Sequence, residues 1–274
     1  MILLVSSSKD IAGVNIANQI LQQYPFKKTN QTFQENPVFQ AEINSKQVTY
    51  ITLKEEAVNA QNLPEHFPHM DLIVFISRHS SQSGTPTLSV HTPGNFASAE
   101  LGGLPKTLSV SPANAMGDAL KALNRLKTEM SLNYEVSYEC THHGPSLNVP
   151  IMFVELGSSP KQWNDTTAAG AVAQAAMEAI ANFGNSKQTA VLGIGGTHYN
   201  QKFTKMALDN ETVFGHMIPK YALAHVDAEI LCQCIQKTFE KVECAVLDWK
   251  GIKSEDKPKL LKILQEINLP IKKV

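Results

Sequence analysis

The chain has 274 residues, 43% hydrophobic and 18% charged, with 24 basic against 25 acidic side chains and a formal net charge of −1. That length buries a sizeable core, in one large domain or two closely packed ones, and the charge balance excludes a global basic field for gripping nucleic acid. Any RNA contact has to use a local patch.

No apolar run approaches the ~20 residues that span a bilayer. Cys140, Cys232, Cys234 and Cys244 include no CxxC pair, so neither a disulfide framework nor a thiolate zinc site is indicated. MILLVSSSKD has no positive n-region and no signal-length apolar stretch, which makes a reducing cytoplasm the expected setting.

In chain order, residues 2–5 read as a short apolar strand, and residues 11–21 place Ile11, Val14, Ile16, Ile20 and Leu21 at helical spacing. Residues 27–47 are polar and weakly patterned, a loop with an edge strand. Residues 48–53 and 72–76 are strands, the second apolar throughout and so buried on both faces. Residues 77–110 are rich in Gly, Pro, Ser and Thr, with a short strand at Thr87–His91. A loop-like stretch this long is usually functional or disordered, and its histidines favour function.

Pro112 opens a helix running to about Met130. Residues 134–140 and 149–156 are strands, 168–183 an Ala-rich helix, and 190–194 a buried strand. Residues 213–218, 227–239, 244–247 and 257–267 follow as strand, helix, strand and helix. This alternation predicts a single α/β domain over 1–274, with a mixed, largely parallel central sheet flanked by helices.

Three strands run straight into histidine-bearing loops: DLIVFISRH to His79, YEVSYECTHH to His142 and His143, and TAVLGIGGTH to His198. IMFVELGSS places Glu155 at the end of a fourth. TLSVH to His91 and YALAH to His225 are weaker cases. Ligands in parallel α/β folds bind beyond the carboxyl ends of strands, so parallel neighbours would bring these groups to one sheet edge. A single such histidine is ordinarily a hydrogen-bonded loop residue; several in corresponding places point to a site. Clustered imidazoles and carboxylates bind Zn²⁺ and activate water, or shuttle protons without metal. No HExxH or Cys pattern decides between these.

In YECTHHGPS, strand alternation puts Tyr134, Val136, Tyr138 and Cys140 on a core face and Glu135, Ser137, Glu139, Thr141 and His143 on the other. Glu139 is then the expected carboxylate partner of His143, while Glu135 and Ser137 read as solvated. His142 joins the core face unless Gly144-Pro145, which ends the strand, turns it towards the site. GIGGTHY (193–199) offers close backbone approach and amides for an anion, without a GxGxxG or Walker pattern. Lys202, Lys205 and Lys220 form a candidate basic rim, and Tyr199 and Phe203 are candidate base-stacking aromatics. Asn95, in VHTPGNF, is either a turn residue or a substrate-binding amide.

At these residues the sequence resembles the archaeal- and plant-type D-aminoacyl-tRNA deacylases. The similarity covers nearly the whole chain. It is carried by ISRHSS with SVHTPGN, by YECTHHGPS, by PIMFVELGSSPKQWND, and by GIGGTHYNQKFT followed by GHMIPKYALAH. MILLVSSSKDIAGVNI is similar to the family's opening, and the likeness is thinnest over 27–47.

The resemblance implies hydrolysis of the ester joining a D-amino acid to the tRNA 3′ end, and a link to clearing aldehyde-modified D-aminoacyl-tRNAs. It also implies two zinc ions per subunit, a monomeric state, and a phosphorylase/hydrolase-like fold similar to peptidyl-tRNA hydrolase. Ester hydrolysis needs a positioned water, a group to activate it and a donor or metal for the oxyanion. On this sequence, His142, His143 and Glu155, with His79 or His198, are the candidates to hold metal or water. Glu139 supports them or acts as general base. Gly195 and Gly196 are candidate donors to the oxyanion or terminal phosphate, and Lys202, Lys205 and Lys220 candidate acceptor-stem contacts. The competing readings are a metal-dependent exopeptidase or amidohydrolase of the same fold class, and a non-catalytic tRNA-binding protein.

Overall fold

The computed structural model describes residues 1–186 and 188–274. β1 (Ile2–Ser7) leads into α1 (Ile11–Gln23), whose start is fixed by the Asp10 carboxylate accepting from the Gly13 amide at 2.9 Å. The polar 27–47 stretch holds two strands rather than one, β2 (Lys27–Phe33) and β3 (Asn36–Ile43), paired antiparallel. They lie at the outer edge of the sheet, where most of β2 faces water and no apolar alternation is needed.

β4 (Lys46–Leu53), a single turn α2 (Leu63–His66), β5 (Leu72–Arg78), β6 (Thr87–His91) and the short β7 (Gly94–Asn95) and β8 (Thr107–Leu108) follow. Next come α3 (Ala113–Glu129), β9 (Glu135–Tyr138), β10 (Ile151–Gly157), the short α4 (Pro160–Trp163) and α5 (Thr166–Asn182). The last part comprises β11 (Ala190–Ile194), α6 (Gln201–Leu208), β12 (Val213–Ile218), α7 (Ala228–Gln236), β13 (Val242–Leu247), α8 (Lys257–Glu266) and β14 (Ile271–Lys273). α6 is an addition to the sequence reading. Asn200 starts it by accepting from the Phe203 amide, a cap hidden at the end of the glycine-rich GIGGTHY stretch.

The mixed, largely parallel sheet is present, accompanied by a second. Eight strands lie in the order β2-β3-β4-β1-β5-β10-β6-β9, and four parallel strands in the order β12-β11-β13-β14. α3 packs against both α5 and β12 and so joins the two layers. Among the described residues no helix is long and apolar enough to cross a membrane.

The expected convergence at one sheet edge needs correction. β1, β4, β5 and β10 are parallel, but β6 pairs antiparallel with β10, and β9 runs parallel to β6. Register sets Ser77, Glu155, Ser89 and Ser137 in one row across four strands, with Phe75, Phe153 and His91 in the next. Directly paired residues share a face, as do residues two apart. Glu139, two beyond Ser137, therefore rises beside His91. The other face, with Val74, Ile76, Val90, Tyr138, Met152 and Val154, forms the core beneath the helices. The polar groups thus stand on a face of the sheet, fed by strands from both directions.

Candidate active site

Glu139 is fully buried at the centre of a polar cluster. Its Oε2 accepts from His198 Nε2 at 3.0 Å and lies 3.7 Å from His142 Nε2. Its Oε1 is 3.1 Å from His79 Nδ1 but outside hydrogen-bond geometry. Glu155 accepts from Ser77 Oγ at 2.7 Å, and its other oxygen lies 3.7 Å from His79 Nδ1 and 3.6 Å from His91 Nε2. His91 stacks on Phe153 at 5.0 Å and is completely buried, with neither ring nitrogen hydrogen-bonded. Its weak rank among the sequence candidates needs revising: a histidine inside a strand gives no sign of the cavity it faces.

The adjacent pair His142 and His143 both reach this cluster. Their ring centroids are 4.2 Å apart, and His91 lies 4.3 Å and 4.9 Å from them. His143 sits at φ 44°, in the left-handed region, which ends strand alternation. A Cβ on Gly144 would stand 2.2 Å from the Gly103 amide nitrogen and 2.5 Å from the Val58 carbonyl oxygen, so only glycine lets the turn close. His142 Nδ1 donates to the Cys140 carbonyl at 2.9 Å and His143 Nδ1 to the Gly144 carbonyl at 2.6 Å. A carbonyl only accepts, so each neutral ring carries its lone pair on Nε2. The expected Glu139–His143 pairing is not formed; Glu139 faces His198, His79 and His142 instead. Ser137, read as solvated, is buried, whereas Glu135 is exposed.

The cluster divides electrostatically. Burial pushes both His142 and His143 down, His143 to about 4, and the neighbouring histidines add to this, so both stay neutral. Burial also opposes a charge on His79, but the two carboxylates beside it win and lift its pKa to about 11. Against the opposing effect of burial, His79 and His91 hold Glu155 down to about 2, and His198, His79 and His91 hold Glu139 well below the usual range. Tyr199 Oη bonds His79 Nε2 at 2.8 Å, and Tyr221 Oη bonds His198 Nδ1 at 3.1 Å; both tyrosines fix rings from outside.

Three sets of donor atoms each lie within 4.8 Å of one another: His91–His142–His143, Glu139–His142–His198 and His79–Glu139–Glu155. They share His142 and Glu139. Buried imidazole nitrogens without partners, beside rings whose other N–H is held by a backbone carbonyl, suit a divalent metal. The donor set therefore fits zinc. Two cavities meet at His142, His143 and Leu101: one of about 670 Å³ over Glu139, Glu155 and His79, and one of about 310 Å³ lined by Phe96, Tyr221 and His225.

A sequence profile of the D-aminoacyl-tRNA deacylases matches residues 66–272. The D-aminoacyl-tRNA deacylases of Thermococcus onnurineus and Thermococcus kodakarensis are each 35% identical to this chain over 98% of both partners. That of Methanosarcina barkeri is 35% identical over 99% of this chain and 89% of its own. The chain belongs to the D-aminoacyl-tRNA deacylase family. A solved structure of a conserved protein of unknown function, 29% identical, superposes with a TM-score of 0.88 over 100% of this chain and 95% of its own.

Of the other residues that the sequence singles out, several serve different ends. The Gly195 and Gly196 amides, expected to be free for an anion, donate to the Ile218 and Gly251 carbonyls at 2.8 Å and 3.1 Å. Both glycines have positive φ, and their role is to fold the loop that carries His198. Asn95 lines the smaller cavity, but its amide nitrogen donates to the Gly102 and Leu104 carbonyls and ties down the loop beneath Leu101. Lys202 Nζ is bound by Asp248 Oδ1 at 2.5 Å; Lys205 and Lys220 are exposed. Phe203 is fully buried against Phe214 and offers no stacking face.

Proposed function

We propose that this chain hydrolyses the ester between a D-amino acid and the 3′ end of tRNA, with zinc held by the buried His/Glu cluster. The observation that carries the reading is the set of inward-facing Nε2 lone pairs of His142 and His143, with His91, beside Glu139 and Glu155. These residues would hold the metal, while His79 pairs with the two carboxylates and His198 is kept for proton transfer. Contiguous donor sets sharing His142 and Glu139 support two ions. When bound, zinc supplies an activated water at neutral pH and polarises the ester carbonyl. A monomeric state, which rests on the resemblance, and a cytoplasmic setting, which rests on the sequence reading, complete the proposal.

The chain's own groups do the rest. Glu139 accepts from His198 Nε2 and so fixes that ring with its Nδ1 lone pair towards the Tyr221 hydroxyl. His198 is partly exposed at the rim, where it takes a proton from the attacking water and returns it to the departing 3′ oxygen. The water's oxygen ends in the D-amino acid carboxylate, and the tRNA leaves with a free hydroxyl. Two cavities meeting at His142 and His143 suit a substrate with two arms, an aminoacyl group and a terminal nucleoside.

Deacylation of D- and L-aminoacyl-tRNA, with and without chelator, tests this. The D-ester should be cleaved and the L-ester spared; chelation should slow turnover at least about a hundredfold, and zinc should restore it. Equal rates on both isomers, or equal cleavage of free peptides, would overturn the substrate. Full activity after thorough metal depletion would overturn the zinc.

A further inference from the structure

Residues 249–274 carry seven lysines and three acidic residues, in a chain whose net charge is −1. The fold gathers two of these lysines over one aromatic ring. Lys257 Nζ lies 4.4 Å and Lys273 Nζ 3.8 Å from the Trp249 ring centroid. Lys253, Lys262 and Lys272 each have a glutamate within 4 Å, whereas Lys257 and Lys273 have no carboxylate at that distance among the described residues. Lys257 also opens α8, with Lys259 in the same turn and Asp256 at the cap as the acidic group of that helix end. Among the described residues, what holds the two ammonium groups together is the face of one aromatic ring.

The patch adjoins the site. The 249–251 turn packs on the Gly195–Gly196 loop: the Gly196 amide donates to the Gly251 carbonyl at 3.1 Å, and a Cβ on Gly195 would meet Ile252 at 2.7 Å. His198 follows two residues after Gly196, and two residues of chain span at most about 7 Å. Lys202, beside the same turn, is already neutralised by Asp248.

We infer that Trp249, Lys257 and Lys273 seat the phosphate backbone of the tRNA next to its 3′ end, holding the polyanion while the ester is delivered to His198. This rests on the deacylase reading. Two ammonium groups ordered on a ring give a fixed pair of positive charges, which a phosphodiester strand complements without any base being read.

The test compares K257Q/K273Q with K121Q/K127Q, an equal loss of charge on α3. Each is assayed for binding of deacylated tRNA across salt concentrations, and for cleavage of D-aminoacyl-tRNA and of a D-aminoacyl ester of adenosine alone. K257Q/K273Q should weaken tRNA binding about tenfold, flatten the slope of log affinity against log salt by about two, and lower kcat/KM on the tRNA ester only. K121Q/K127Q should match wild type on every count. Unchanged tRNA affinity and salt slope, or equal losses on both esters, would overturn the patch. If the wild-type protein cleaves neither ester, the deacylase reading fails, and the tRNA-binding arm still judges the patch.

Discussion

His216 and His91 are both fully buried imidazoles, and their partners decide what each does. His216 shares its Nε2 proton between the Ser109 and Lys237 carbonyls, each at 3.1 Å, and accepts from the Thr141 hydroxyl at Nδ1, also at 3.1 Å. Every polar atom is used, so the ring is a strut of the fold. His91 has no hydrogen bond at either nitrogen, a deficit that ordinarily costs about 1–3 kcal/mol per buried group. Such an arrangement persists where another partner uses the ring. Burial holds His216 down to about 4, below the ordinary 6.5. As pH falls through that window the unfolded chain takes up a proton that the folded chain refuses. The stability due to neutral His216 is therefore complete above pH 6.5 and is lost towards pH 4, about 3 kcal/mol in all. His216→Gln should flatten the dependence of Tm on pH between 6.5 and 4; an unaltered slope would show that His216 does not titrate this way.

The element that most shapes the site is the turn after β9. Its strand residues Val136 and Tyr138 alternate into the core as their spacing requires, and Glu139 follows on the opposite face. Alternation then stops at His143, because its left-handed backbone and the contact of Gly144 with residues 102–103 swing two neighbouring side chains to the same place. Gly144→Ala should push these segments apart. We expect a loss of about 2 kcal/mol in urea unfolding, together with a fall in D-ester turnover far beyond what that instability explains. Wild-type stability and turnover in this variant would show that the close approach does not position the histidines. α6 makes the complementary point: eight residues capped by Asn200 form a helix just where glycine-rich sequence suggests only a turn.

Across the whole molecule, α3 packs against α5 above the large sheet and against β12 of the small one. A shared helix couples the two layers, so they should unfold together. Trp163 reports the large sheet, its indole donating to the His79 carbonyl at 2.9 Å, and Trp249 follows β13 in the small one. Single-tryptophan proteins W163F and W249F should give coincident urea midpoints; separated midpoints would mean that the sheets are independent units. Element type was legible along the chain because apolar periodicity is local: Thr87–His91, Ala190–Ile194 and Val213–Ile218 match the observed strands end for end. The gathering of His79, Glu139, His142, His143, Glu155 and His198 was legible too, as polar residues ending buried strands. Strand direction was not, since β6 and β9 carry the same local pattern whichever way they run. Their antiparallel insertion beside β10 set His91 next to Glu155 and moved the site onto the sheet face. Hydrogen-bond occupancy was equally hidden, because the amides of Gly195 and Gly196 and the ammonium of Lys202 found partners far away in sequence. The sequence by itself determined which groups could form the site; only the tertiary structure, by fixing direction, register and long-range partners, decided which of them are left free to act.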